Sequence, residues 1–172
     1  MDFLDFEGQD LYFDDPISDE VKGLLDNAAK IYPDEEAEHL LMRAYFFEPR
    51  HLMVLVALYR YFYYQHRYED ALIIADRSLE VSADKLDIRV NWWELKPEHL
   101  GSGVFISMGL TRFYLLGLKA RSYLLLRLND LDGAIDCLSK LEELDPNDQF
   151  GSAFLMKVAR KERGDFLRLV HG

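Results

Sequence analysis

The chain has 172 residues, a net charge of −11 and a hydrophobic content of 49%. This composition predicts one folded domain and excludes a chain that is disordered throughout. An acidic surface repels phosphate, and no stretch reaches the roughly 18 apolar residues of a membrane-spanning helix, so we expect neither nucleic acid nor membrane as a partner. The N-terminus lacks a positively charged and then apolar signal segment, which predicts a cytoplasmic protein.

Residues 1–17 form an acidic and aromatic segment that begins MDFLDFEGQDLYFDD. It alternates acids with Phe, Leu and Tyr and has no basic residue before Pro16. Such a composition is typical of flexible interaction segments. Two arrangements are open. The segment packs locally on the first helices, or it docks in a groove of its own chain or of a neighbouring copy.

Helical periodicity dominates the chain from residue 18 onward. Apolar residues recur three and four positions apart, which predicts amphipathic helices separated by prolines and polar turns. The predicted helices span residues 18–32, 34–47, 51–65, 68–82, 104–128, 131–144 and 148–162. A turn at Gly164-Asp165 is expected to end the last helix and to leave a C-terminal tail at 163–172.

One pattern occurs three times along these helices. Each copy places an alanine near the start of an apolar run and ends in an acidic or polar turn, and the copies are residues 34–51, 67–84 and 131–148. The alanines are Ala37, Ala71 and Ala134, and the first two are 34 residues apart. A small residue at this place lets two helix backbones approach closely, and stacked hairpins can bury the apolar stripe that one hairpin leaves open.

This pattern resembles the tetratricopeptide repeat (TPR) family, whose period is about 34 residues. The resemblance covers residues 18–148 apart from one insertion, although no repeat carries the family's usual tryptophan and Tyr59 stands where the family has glycine. It implies an all-α fold, a right-handed α-α superhelix of stacked antiparallel helical hairpins. The implied helical domain spans 18–162, with repeats at 18–51, 52–85 and 115–148, an insertion at 86–114 and a capping helix at 148–162.

The stretch NWWELKPEHLGSG lies in the insertion. Its glycines, Gly101 and Gly103, are expected to separate the long helix after them from a loop or short strand before them. Because side chains alternate along an extended segment, one of Trp92 and Trp93 should pack on the stack and the other should be exposed. The exposed ring would then contact a partner. The alternative is that both rings cover an end of the core.

The resemblance also implies a concave groove lined by the first helix of each repeat. The second repeat would present Met53, Val56, Ala57, Arg60, Tyr63 and Tyr64, and the third would present Leu116, Lys119, Ala120, Tyr123, Leu126 and Arg127. Tyrosine rings with arginine and lysine among them suit a peptide or client protein that has hydrophobic and acidic segments. The alternative is that the run YRYFYYQ is core packing, and Tyr59 and Phe62 should face a neighbouring helix in either case.

The sequence contains no complete motif for catalysis, for a metal or for a cofactor. It lacks the H-E-x-x-H, paired C-x-x-C, G-x-S-x-G and phosphate-binding glycine patterns. Glu36 and His39 have one Glu-x-x-His spacing, but a di-iron site needs a second copy. The single cysteine, Cys137, has no histidine near it in sequence and is expected to pack in the core. We therefore expect a protein that is not an enzyme and that carries no cofactor or metal.

These features predict a protein–protein interaction module that acts as an adaptor, a chaperone or an assembly factor. The predicted partner-binding residues are Val56, Arg60, Tyr63, Tyr64, Lys119, Tyr123 and Arg127 in the groove, with Trp92 and Trp93 in the insertion. In size and layout the chain also resembles the chaperones of type III secretion translocators, which is one alternative. A non-catalytic regulatory subunit of an enzyme complex is another, and exposed aromatic residues in the insertion could join two copies in a homodimer.

Overall fold

The computed structural model describes residues 15–171, with side chains up to residue 164. Within this part of the chain there are eight α-helices and one short 3₁₀ helix, and there is no strand. The helices are α1 (Asp19–Ile31), α2 (Glu35–Phe47), α3 (Leu52–Tyr64), α4 (Tyr68–Lys85), α5 (Pro97–Ile106), α6 (Met108–Arg127), α7 (Leu131–Leu144) and α8 (Ser152–His171), and the 3₁₀ helix is Trp92–Glu94. The predicted all-α fold is confirmed. Of the flexible N-terminal segment predicted at 1–17, residues 1–14 lie outside the described residues, and Ile17 packs against the core.

The helices pair as hairpins that stack side by side. Helix α1 packs on α2, α3 on α4 and α6 on α7, while contacts of α2 with α3, α4 with α6 and α7 with α8 join one pair to the next. The three repeat alanines, Ala37, Ala71 and Ala134, are at most 1% exposed. The helices of each pair therefore approach closely where the sequence predicted it, and the predicted antiparallel hairpins are confirmed.

Capping side chains explain why most predicted helix starts lie within a few residues of the observed ones. The Ser18 hydroxyl accepts a hydrogen bond from the Val21 backbone N–H at 3.4 Å, and Asp130 Oδ1 accepts one from the Gly133 N–H at 3.0 Å. Such side chains satisfy backbone donors that have no partner within the helix. They favour a helix start at that residue, so the start can be predicted from the sequence.

One core cluster runs through all three hairpins, and a second joins the last hairpin to α8. The large fully buried side chains of the first include Tyr59, which stands where the resemblance implied glycine. The second cluster consists of Leu138, Leu155, Met156 and Ala159. Helix α8 therefore covers an apolar face that α7 would otherwise expose, as the last helix of a stack must.

The insertion is helical where the sequence predicted a break. Gly101 and Gly103 lie inside α5, and the chain bends instead at Ser107, whose backbone is extended and whose hydroxyl accepts from the Leu110 N–H. The prediction that these glycines interrupt the helix is therefore wrong. The reason lies at Gly103, where a Cβ would come within 3.3 Å of Thr111 Oγ1, so that glycine lets α5 approach α6 closely.

Two further predictions near the insertion are tested: the start of the long helix is corrected, and of the loop or short strand the structure has the loop. The long helix expected at 104–128 begins later, at Met108, because the bend at Ser107 separates it from α5. The stretch expected to be a loop or short strand contains the 3₁₀ helix Trp92–Glu94. A side-chain hydrogen bond of 2.9 Å from Asn91 Nδ2 to Glu94 Oε2 spans this turn and favours it over an extended strand.

The last helix starts later and ends later than predicted. Helix α8 spans Ser152–His171 rather than 148–162, and it runs through the turn expected at Gly164-Asp165. Asp148 determines the start, because its carboxylate accepts hydrogen bonds from the N–H groups of Ser152 and Ala153. A glycine inside a helix costs only about 1 kcal/mol relative to alanine. The tail predicted at 163–172 is consequently helical as far as the structure describes it.

Candidate functional site

A groove follows the first helices of the hairpins, with α3 as its floor and with α1 and α6 on either side. Between α1 and α3 it deepens into a cavity of about 280 Å³. Its lining includes Leu25, Ala28, Tyr32, Ala57, Arg60 and Tyr64. Among the described residues that line this cavity, Arg60 is the only charged one. The cavity is therefore an apolar and aromatic pocket with one cation at its wall.

Four tyrosines from three helices form a continuous row of rings along this groove, which we call the tyrosine row. Tyr32 of α1 lies 6.5 Å from Tyr64 of α3, measured between ring centroids. Tyr64 lies 5.3 Å from Tyr63, and Tyr63 lies 6.0 Å from Tyr123 of α6. Rings at these spacings attract one another beyond the burial of their surface. The row therefore links the three helices and presents aromatic faces and hydroxyl groups along the groove.

An exposed arginine ends the row on α6. The Arg127 guanidinium carbon lies 4.6 Å above the Tyr68 ring, and Arg127 Nη1 donates to the Tyr123 hydroxyl at 3.1 Å. The hydrogen bond to Tyr123 raises the pKa of Arg127, which stays fully cationic. Arg60 and Arg127 thus place two positive charges along an aromatic surface in an acidic protein.

The exposed half of α3 is the half that the sequence predicted. Val56, Arg60 and Tyr63 are half-buried and Tyr64 is 44% exposed, whereas Tyr59 and Phe62 are buried. Roughly half of the run YRYFYYQ is core packing and half faces the groove, because neighbouring residues of a helix point in different directions. The predicted division of this run is confirmed.

Lys119 and Ala120 were predicted to line the groove, but the structure buries both, and Ala120 is only 2% exposed. Lys119 is the charged one of the two. Its side chain is only 6% exposed, and its ammonium group lies 3.6 Å from where a Cβ would stand on Gly151. The loop before α8 covers it, and the Lys119 charge contributes to lowering the pKa of Asp148, after the larger effects of the Ala153 and Ser152 hydrogen bonds. Lys119 therefore lies beneath this loop and is not offered to a partner at the groove surface.

Tyr32 and Tyr61 belong to the groove although the sequence did not single them out. Tyr32 is the last residue of the helix predicted at 18–32 and the C-cap residue of α1, and its ring packs edge-on against Tyr61 at 6.0 Å. Burial, followed by the charge of Glu38, raises the pKa of Tyr61, so its hydroxyl stays protonated. An aromatic residue in the last turn of the first predicted helix, next to a proline, was the available signal.

The tryptophan pair has one ring packed and one ring exposed, as predicted. Trp92 packs against the core, and the Arg121 guanidinium carbon lies 5.1 Å above its ring. Trp93 is 57% exposed and meets Trp92 edge-on, with centroids 5.5 Å apart. The sequence could not say which ring would be outside. The two rings point in different directions because Trp92 and Trp93 lie in a 3₁₀ turn, and not because they alternate along an extended segment.

The tryptophan pair and the tyrosine row lie on opposite sides of α6. A cleft of about 510 Å³ beside the pair is lined by Trp92, Trp93 and Tyr114 among others. Tyr114 and Tyr123 are nine residues apart on α6, which is two and a half helical turns and places them on opposite faces. The predicted binding residues therefore divide into two surfaces that a short peptide cannot contact together.

A third exposed surface was not predicted. Apolar side chains crowd the end of α5 and the start of α6, where Phe105 is 94% and Met108 65% exposed. Val104 and Ile106 beside them are also exposed. The sequence analysis assigned these residues to the start of a long helix, where half of them would have been buried. The bend at Ser107 turns them outward instead.

In the part of the chain that the structure describes, no cluster of three or more His, Cys, Asp or Glu side chains could hold a metal ion. Cys137 is fully buried, and burial raises the pKa of its thiol, so it packs in the core as predicted. Burial likewise raises the pKa of Tyr114. Among the described helices, none has the length and apolarity that crossing a bilayer requires.

Comparison with known proteins identifies a relative. No protein-family model matches the chain, and no solved structure matches it at a significant level. Over 167 residues the chain is 41% identical to the "Uncharacterized 19.8 kDa protein in nifW 5'region" of Azotobacter chroococcum mcd 1. The match covers 97% of this chain and 93% of the relative. Such identity over nearly the full length of both proteins means that this chain belongs to the same family as the Azotobacter protein.

Proposed function

We propose that this protein is a protein–protein interaction module that binds an acidic, hydrophobic segment of a client protein in the groove along α1, α3 and α6. It acts as an adaptor, a chaperone or an assembly factor in the cytoplasm. The observation that supports this most is the tyrosine row, in which rings from three helices meet in one groove with Arg60 and Arg127 beside them.

The chemistry of the groove favours a segment in which acids and apolar side chains alternate. Tyrosine rings offer a large apolar face and a hydroxyl that can hydrogen-bond, at little cost in conformational entropy. Arginine guanidinium groups pair with carboxylates through two parallel hydrogen bonds and also stack on rings. With a net charge of −11, the rest of the molecule repels an acidic client. The groove is therefore the surface on which such a client has the most favourable binding free energy.

The TPR assignment, including a right-handed superhelical twist, is part of this proposal. It is supported by the three hairpins with their buried alanines and by the placement of the groove residues on the first helix of each hairpin. Proteins built from such stacked hairpins bind extended partners along their concave surface.

Self-association is a second candidate function, favoured by the exposed apolar surface at the end of α5. Phe105, Ile106 and Met108 are each more than half exposed. A second copy could bury this surface in a symmetric dimer. Light scattering of the chain and of Phe105→Glu over a range of concentrations tests it. We expect the mass of the unaltered chain to rise with concentration and that of Phe105→Glu to stay monomeric, whereas a constant monomer mass for both would exclude the dimer.

Capture of a client from the native host tests the groove. The chain carries a C-terminal tag and is compared with a variant that combines Arg60→Ala, Tyr64→Ala and Tyr123→Ala. Trp93→Ala is the matched control, because it removes an exposed aromatic ring on the other side of α6. Since the gene of the Azotobacter relative lies in the region 5' of nifW, the nifW product is one defined candidate to test directly.

We expect one stoichiometric client that the chain and the Trp93→Ala control retain and that the groove variant loses. Circular dichroism establishes that the groove variant is folded. A client that survives the groove substitutions and is lost with Trp93→Ala would contradict the proposed site and move it to the insertion. Absence of any client with the unaltered chain would argue against the binding function.

A further inference from the structure

We propose that residues 1–14 of this chain lie in the groove along α1, α3 and α6 whenever no client is bound, so that a client must displace them. The inference rests on the proposed function, because it gives the client-binding groove a first occupant from within the chain. The occupant has the alternation of acids and rings that the groove favours.

The contacts of Asp15 show where this segment enters. The Asp15 carboxylate pairs with Lys85 Nζ at 2.5 Å, and the Asp15 carbonyl oxygen lies 3.3 Å from His51 Nε2. Three residues later, the Ser18 hydroxyl donates to Glu48 Oε1 at 2.6 Å. These contacts hold residue 15 beside His51, at the N-terminal end of α3, which is the floor of the groove. Residue 15, where the described chain begins, therefore lies at one end of the groove, between the start of α3 and the end of α4.

The segment is long enough to follow the whole groove. The 13 residues of α3 span about 20 Å at 1.5 Å per residue. Fourteen residues reach about 46 Å when extended and about 21 Å as a helix. Either conformation takes the chain from the start of α3 past Tyr64 at its end.

The composition of the segment complements the groove. Residues 1–14 carry no basic side chain and five acids, which are Asp2, Asp5, Glu7, Asp10 and Asp14. Four rings lie among them, contributed by Phe3, Phe6, Tyr12 and Phe13. Rings of the segment can stack on the tyrosine row, and its carboxylates can pair with Arg60 and Arg127.

The cleft beside the tryptophan pair suits this segment less well. It is lined by three acids, Asp76, Glu80 and Asp84, and by two arginines, Arg89 and Arg121, which are paired with Asp87 and Asp76, so its charge does not favour five further acids. The cavity between α1 and α3 has no acidic residue among its described lining. Charge therefore directs the segment to the groove and away from the insertion.

The test uses a full-length variant in which residues 2–14 are replaced by glycine and serine, so that the Asp15 anchor is kept. A peptide with the sequence of residues 1–15, fluorescently labelled at its C-terminus, is the probe, and fluorescence anisotropy gives its Kd. We expect the peptide to bind the replaced variant at least about tenfold more tightly than the unaltered chain. The tethered segment competes in the unaltered chain at an effective concentration near millimolar.

Two single substitutions in the replaced variant locate the site. Arg60→Ala should weaken peptide binding about tenfold, because a guanidinium–carboxylate pair in a half-buried site is lost. Arg43→Ala, at an exposed arginine of α2, should leave the affinity unchanged. Circular dichroism establishes that each variant is folded.

Equal affinity for the replaced and unaltered chains, or no binding to the replaced variant, would overturn the inference. So would a dimer of the unaltered chain that the replacement abolishes, because the segment would then occupy the groove of a second copy. A different result would contradict the proposed function: a client that is still captured by the groove variant, regardless of whether the peptide binds.

Discussion

Arg121 shows how a charged side chain is held at a largely buried position. Its side chain is 18% exposed, its Nε lies 2.7 Å from Asp76 Oδ1, and its guanidinium carbon lies over the Trp92 ring. The charge is paired on one side and stacked on the other, which compensates for the loss of water around it. The same residue thereby joins α4, α6 and the insertion.

Replacing Arg121 with alanine should destabilise the fold by about 1–2 kcal/mol, because the ion pair, the ring contact and the packing of the side chain are lost together. Urea unfolding followed by circular dichroism measures the change. Arg89→Ala is the control, since Arg89 pairs with Asp87 on the surface, where an ion pair contributes little. Equal stability of the two variants would show that Arg121 does not anchor the insertion.

Glu48 gives the N-terminal end of the fold a dependence on pH. The hydrogen bond from the Ser18 hydroxyl is the main cause that lowers the pKa of Glu48 below the ordinary glutamate value of about 4.3. A group whose pKa is lowered by folding stabilises the fold above its ordinary pKa, and this contribution disappears as pH falls through the lowered value.

The free energy of unfolding of Glu48→Gln should therefore be lower than that of the unaltered chain at pH 6, and the two values should approach each other at pH 3. The difference should stay under about 1 kcal/mol, because water reaches this contact and screens it. Urea titrations at both pH values measure it. Glu20→Gln, at an exposed acid of α1, serves as the matched control. A gap that widens towards pH 3 would contradict the assignment.

Single residues were predictable where their direction depends on their own helix. Arg60, Tyr63 and Tyr64 were assigned to one face of α3 by the resemblance to the repeat family, and none of the three is buried. Lys119 was assigned by the same argument and is buried, because the loop before α8 covers it. Periodicity gives the direction of a side chain, but the burial of Lys119 depends on a loop some thirty residues later in the chain.

At the scale of elements, the bend between α5 and α6 decides how the insertion packs. Gly103 faces α6 and Leu86, and a Cβ there would lie 3.5 Å from Leu86 Cδ2 as well as close to Thr111. Gly101 in the same helix has no neighbour within 4 Å of that position. The two glycines look alike in the sequence, but only Gly103 permits a close approach of helices.

Valine at these two positions should separate their roles. Gly103→Val should lower the stability by about 1–3 kcal/mol, because its methyl groups have no space between α5 and α6. Gly101→Val points to solvent and should change the stability by less than about 0.5 kcal/mol. Thermal and urea unfolding of the two variants measure this. Similar losses at both positions would mean that the α5–α6 contact is not tightly packed.

Elements were predictable where the chain signals its own helix ends. Ser18 and Asp130 cap helices with side chains next to the first turn, and those starts were predicted closely. The signals failed at Gly101, Gly103 and Gly164. A glycine ends a helix only when nothing else holds the next turn, and contacts with α6 hold it in α5. Contacts between distant segments therefore overrode the local preference.

At the scale of the whole molecule, the stack keeps two aromatic surfaces apart. The tyrosine row lies on the face of α6 that carries Tyr123, and the tryptophan pair lies on the face that carries Tyr114 and Arg121. The groove face offers cations and rings, whereas the cleft beside the tryptophans is lined by three acids and by two arginines that are already paired with aspartates. Partners of different chemistry can therefore reach the two faces without competing, and only the groove suits an acidic segment.

The most direct measurement is site-specific photo-crosslinking in the native host. A photoreactive phenylalanine analogue replaces Tyr64 in one chain and Trp93 in another, and adducts are identified by mass spectrometry. Both positions are exposed aromatic residues, so each is the control for the other. We predict an adduct with one client protein from position 64, through an acidic and aromatic segment of that client, and none with that client from position 93. An adduct with the client from position 93 alone would contradict the groove as the binding site.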